Sequence, residues 1–219
     1  MKIKVTYSYS HEVGNYYNSV YKFRWLKHGR EDVQEKLLKP LPKNFKKALK
    51  RTKNEKEAKE VIKRYLLDNI DQRKKAYLKI AKDLEKAYER EGEDIERKLE
   101  KLYEDVVPFD EINIYLSSLP IYPYNFKERW IMIYANTSVE KQLKILTHEL
   151  NHVMFYYYFG HLLKGLGKEK FEHLKEALTI FTNPEERGYP AQKKLRQWLK
   201  RQKGSIPEII RKGGWKLYV

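Results

Sequence analysis

Thr137-Ser138-Val139-Glu140-Lys141-Gln142-Leu143-Lys144-Ile145-Leu146-Thr147-His148-Glu149-Leu150-Asn151-His152 is the stretch on which the reading of this chain turns. Thr137, with Glu140 three residues later, has the form of a capping box that opens a helix. Leu143, Leu146, Leu150 and Val153 then follow at steps of three and four, which predicts a helix running to Gly160. Four residues make about one helical turn, so His148 and His152 project from one face and can share one ion. Glu149 lies about 100° round the helix from His148, beside such an ion rather than on it. A carboxylate there can accept a proton from a metal-bound water, which zinc brings to a pKa of about 7.

Composition narrows the chemistry further. The 219 residues include no Cys and six His, which excludes disulfides, thiolate metal sites, Cys nucleophiles and iron–sulfur clusters. Any metal is therefore held by His, Asp or Glu. An apolar fraction of 41% is too high for a disordered chain even with 35% charged residues. No stretch reaches the eighteen or so apolar residues of a transmembrane helix, so no membrane partner is expected. The first residues alternate in polarity and lack the apolar block of a signal peptide, which places the expected location in the cytoplasm. Many Lys and Glu with few Met resemble a thermophile's composition. The net charge of +16 raises nucleic acid as a partner, most of all at 193–216, where Lys193, Lys194, Arg196, Lys200, Arg201, Lys203, Arg211, Lys212 and Lys216 fall. Solvation and ion pairing in a Lys-rich surface account for that charge more simply.

Around the motif the chain reads as a small sheet interrupted by helices. Residues 1–9 put Met1, Ile3, Val5, Tyr7 and Tyr9 on one face, the period of a strand. Residues 11–28 are predicted helical through Tyr17, Tyr21 and Trp25, with Gly29 as the stop and Pro40 and Pro42 as a break. From 44 to 106 a helix through Phe45, Leu49, Ile62 and Leu66 precedes a long amphipathic one through Tyr77, Ala81, Leu84, Tyr88, Ile95, Leu99 and Leu102, with Gly92 as a place to bend. Strands are predicted at 111–116 and 129–135, the second apolar on both faces and so covered on both. A loop is expected at 117–125 and helices at 168–182, 191–202 and 205–211. Gly213-Gly214 then lead into a short aromatic tail.

A catalytic zinc takes three protein ligands and keeps one position open. The metzincin extension requires Gly at 155 and His at 158, where this chain has Phe155 and Tyr158, so that arrangement is excluded. His161, Glu172, His173 and Glu176 remain as candidates for the third ligand. His148-Glu149-Leu150-Asn151-His152 followed 24 residues later by Glu176-Ala177-Leu178-Thr179 resembles the gluzincin metallopeptidases. The sheet-then-helix order and the segment from Asn183-Pro184-Glu185 to Tyr189-Pro190 resemble most the small archaeal minigluzincins.

The resemblance implies an α+β zincin-like fold: a small mixed sheet, a backing helix, an active-site helix and a glutamate helix. The resemblance covers roughly 111–200 and the first strand; the chain as a whole reads as one domain over 1–219, with a long helical segment at 44–106, a peptidase core at 107–190 and basic helices and a tail at 191–219. His148, His152 and Glu176 would bind zinc, with Glu172 and His161 as rivals of Glu176. Glu149 would be general base and then acid, Thr179 would support the ligand shell, and Tyr189 would stabilise the transition state. A peptide or protein substrate would pair with 130–136 as the edge strand of the cleft. The tail at 214–219 would be an inhibitory segment or a point of self-association. Two other readings stand beside the peptidase. One is a basic, nucleic-acid-associated protein of the SprT-like zincin kind, although that kind expects His-Gly where this chain has Gly160-His161. The other is a zinc-binding protein without activity.

Overall fold

The computed structural model describes residues 1–22, 31–68, 70–186 and 188–219. Its strands are β1 (Lys2–Thr6), β2 (Glu111–Ser117), β3 (Tyr124–Asn125) and β4 (Trp130–Tyr134). They form one mixed sheet in the order β1-β2-β4-β3. β1 runs parallel to β2 with Lys2 opposite Glu111, and β2 parallel to β4 with Asn113 opposite Trp130. β3 closes the edge antiparallel, Tyr124 opposite Ile131, and the Met132 N–H donates to the Pro123 carbonyl at 2.8 Å. The expected alternation holds on β1, where Lys2, Lys4 and Thr6 are exposed and Val5 is buried. On β4 Ile131, Met132 and Ile133 are all buried, as a strand covered on both faces requires.

Two apolar cores result. In one, Ile112, Ile114, Leu116, Ile131 and Ile133 from the sheet meet α5 (Ile70–Tyr103) and α6 (Val139–Phe159). α8 (Lys168–Leu178), α9 (Lys193–Leu199) and α10 (Ile206–Lys212) complete it. The other lies among α1 (Tyr9–Tyr16), α2 (Glu31–Leu38), α3 (Lys43–Lys50) and α4 (Glu55–Leu67), together with Leu119 and Ile121. α7 (Leu162–Leu166) is a short connector before α8.

Several expectations about the sheet and helices change. α1 already begins at Tyr9, so the first strand ends sooner than its alternation suggested, and the helix continues as a π turn over Tyr17–Tyr21. The stretch through Trp25 to Gly29 lies outside the described residues. The helix expected through Phe45 and Leu66 is two helices, because the Asn54 side chain accepts from the Glu57 N–H and caps a new start. α5 passes through Gly92 without a break. The Tyr88 ring lies over that glycine, where an added Cβ would be 2.7 Å from Tyr88 Cε1, so the glycine makes room for a ring rather than a kink. The cap of α6 is Ser138, accepting from the Lys141 N–H, rather than Thr137. Finally, β4 is not the edge of the sheet: residues 124–125, expected in a loop, pair along its outer side as β3.

The C-terminal tail is part of the core. The Trp215 side chain is 1% exposed and its Nε1–H donates to the Ile210 carbonyl at 3.1 Å. The Tyr218 ring lies 5.8 Å from that of Trp198. The expectation of a flexibly attached tail is thereby corrected: a buried indole anchors this segment to α9 and α10. Among the described residues no helix is long and apolar enough to cross a membrane.

Candidate metal centre

Three attachments fix the helix that carries the motif. The Gln142 amide donates to the carbonyls of Tyr134 and Ala135, tying the start of α6 to the end of β4. Leu146, Val153 and Phe155 are fully buried against the sheet and neighbouring helices. The Tyr103 hydroxyl, at the end of α5, donates to the backbone oxygen (2.9 Å) and Oδ1 (2.7 Å) of Asn151. The residues around His148 and His152 are thus held from above and behind, and the two imidazoles stand edge to face with centroids 4.5 Å apart.

α8 brings the third donor. Phe171, Leu174 and Leu178 bury its inner face and turn Glu176 toward the histidines. Glu176 Oε1 is 3.2 Å from His152 Nε2, and Oε2 is 3.9 Å from His148 Nε2. One ligand atom from each of His148, His152 and Glu176 lies within 4.8 Å of the others. Donors at 2.0–2.1 Å from a tetrahedral ion are about 3.3 Å apart, so the His152–Glu176 pair already has that spacing and the other donors would have to draw in to share one ion. The rivals are engaged elsewhere or lie apart. Glu172 accepts from the Tyr156 hydroxyl and pairs with Lys175, while His161 is exposed at the start of α7. His173 is not a member of the cluster either. Tyr189 heads the turn Pro190–Gln192 and is 37% exposed.

Two supporting residues stand outside the expected set, and the first carries no sequence signature of its role. Glu186, on the turn after α8, places Oε2 3.0 Å from His148 Nδ1 and 3.2 Å from Thr179 Oγ1. This is the carboxylate–histidine pairing that fixes ring orientation in metal sites, supplied ten residues after Glu176. Arg196 holds the turn, donating to the Glu186 carbonyl at 2.8 Å, to Thr179 Oγ1 and to the Glu176 carbonyl. Gly188 permits this: its φ is +64°, and a Cβ there would meet Arg196 Cδ at 2.6 Å. Lys175 is the other. Its position falls on the buried stripe 171, 174, 175, 178, and a lysine on such a stripe signals a buried counterion.

The electrostatics follow from burial. Desolvation pushes the Glu149 carboxyl up to about 8, opposed by His148 and reinforced by Glu176, and its Oε2 is buried without a partner. Burial, with Lys175 beside it, lowers His152 to about 4, so its ring is neutral and a lone pair is available. Burial also opposes a charge on His148, but Glu186, Glu149 and Glu176 together raise it. Glu176 is held well below the usual carboxylate range: His152, Lys175 and His148 outweigh its desolvation.

Comparison with known protein families, characterised proteins and solved structures finds no match to this chain.

Proposed function

We propose that the chain is a zinc-dependent peptidase in which His148, His152 and Glu176 hold the metal and Glu149 is general base and then general acid. The observation that carries this reading is the juxtaposition of three donors of suitable chemistry with a buried carboxylate that has an oxygen to spare. Zinc in such a set would act as a Lewis acid on water and on a peptide carbonyl. Glu149 receives, holds and returns the proton at Oε2, the carboxylate oxygen that no protein group occupies. Glu186 orients the His148 ring through Nδ1, leaving Nε2 for the metal. Tyr189, on the turn that follows Glu186, is the candidate donor to the substrate carbonyl oxygen. The substrate is an extended peptide laid against the sheet edge at β3, where the Tyr124 ring packs 5.7 Å from that of His152.

The test compares wild type, Glu149→Gln and His152→Ala for zinc content and for cleavage of an unfolded protein substrate. Zinc in the first two proteins and cleavage by wild type alone are expected. Zinc with equal cleavage in both would overturn the role of Glu149, and wild type without zinc would overturn the centre itself.

A further inference from the structure

Lys175 precedes the carboxylate ligand, yet its side chain is 3% exposed. Its ammonium has three protons and three acceptors: Tyr124 Oη at 2.7 Å, Glu172 Oε2 at 3.0 Å and Glu176 Oε1 at 3.0 Å. The rings of Tyr124 and Tyr156 also lie 5.0 and 5.8 Å from Nζ. The group is thus fully bonded and enclosed, with no donor left to offer a substrate. Glu176 Oε1, which it contacts, is the same oxygen that lies 3.2 Å from His152 Nε2. The ammonium and the proposed metal therefore address one carboxylate.

We propose that Lys175 is a built-in counter-cation of the centre, which holds Glu176 toward the histidines and sets the site's affinity for a divalent ion below that of the same three ligands without it. This rests on the metal-centre reading above. Glu176 and Glu172 are partly exposed carboxylates one helical turn apart, and in the metal-free protein Lys175 lies between them and offsets their mutual repulsion. The same positive charge then repels an incoming dication. That repulsion carries the product of one and two charges in a poorly solvated site. Its contribution to orientation is smaller, because the buried residues of α8 and the hydrogen bonds from Arg196 and Thr179 to the Glu176 carbonyl fix the backbone independently. With repulsion the larger effect, loss of the charge tightens binding.

The experiment titrates zinc against a competing chelator at one pH with the full chain as wild type, K175M and K175R, and follows thermal unfolding of each without metal. K175M should bind zinc at least tenfold more tightly than wild type while melting at a lower temperature when metal-free. K175R, which keeps the charge, should remain within threefold of wild type. Unchanged or weaker zinc binding by folded K175M would overturn the proposal and reduce Lys175 to a bond between α8 and β3. If K175M does not fold, K175Q is read by the same criterion. A wild type that binds no zinc overturns the metal centre instead, so the two failures are distinct.

Discussion

Raising the pH from 6.5 to 8.0 in the presence of a chelator should destabilise this protein, and Glu149 sets the size of the effect. Its carboxyl moves from an ordinary 4.5 to about 8 on folding. Between those values the folded state holds a proton that the unfolded state has released. Stability changes with pH as 2.303RT times the protons bound in the unfolded state minus those in the native state. The difference here approaches minus one, so stability falls as pH rises. Allowing for partial ionisation near 8, Glu149 contributes a loss of about 1.6 kcal/mol over the interval. His152 offsets about 0.4 kcal/mol of it, since with a folded value of about 4 against 6.5 its contribution is lost mainly as pH falls from 6.5 toward 4. His148 is raised, so its contribution is also lost as pH rises and has the same sign. Denaturant unfolding at both pH values, on wild type and Glu149→Gln, separates these contributions. A shallower dependence in the variant is expected. The same slope in both, or no slope in wild type, would refute the assignment of a buried, protonated Glu149.

Two further outcomes test the surroundings of the centre. Glu186→Gln should weaken zinc binding by about 10- to 100-fold, the usual consequence of losing a residue that orients a ligand histidine, with metal-free stability little changed; equal affinity would remove Glu186 from the site. Trp215→Ala should cost about 3–5 kcal/mol in urea unfolding, as deletion of a buried indole does, and would not itself raise peptidase activity. A cost below about 1 kcal/mol would restore the tail as a loosely attached segment.

What could be read in the sequence was whatever follows from periodicity. The alternation of residues 2–6, the apolar run of β4 and the three- and four-residue steps of α6 each impose a single geometry, and the histidine pair follows from the last. Glu176 emerged on resemblance, and the structure brings it to the pair in preference to Glu172, which Tyr156 and Lys175 engage. What escaped depends on contacts between segments. Thr137 and Ser138 are equally able to cap, and only the path of the chain from β4 selects the serine. Gly92 has the form of a helix breaker until Tyr88 is seen to need the space. Glu186 lies on an irregular turn with no period to mark it, and its position depends on Arg196 ten residues further on. The two-residue β3 is too short for any pattern, and it is held in place by the contact of Tyr124 with Lys175.

The pairing of β1 with β2 bears on how the chain is made. Lys2 lies opposite Glu111, so β1 has no partner in the sheet until more than a hundred further residues have followed it from the ribosome. At about 5–20 residues per second that wait lasts roughly 5–20 seconds. Residues 9–66 supply nearly all of the second core, which can close during that interval without the sheet. β1 meanwhile remains an open edge with Lys2 and Lys4 along its exposed face, and charges in that position discourage pairing with a neighbouring chain. The charge pattern of the two lysines thus suits the strand while it is unpaired, before residues 148–176 have been made.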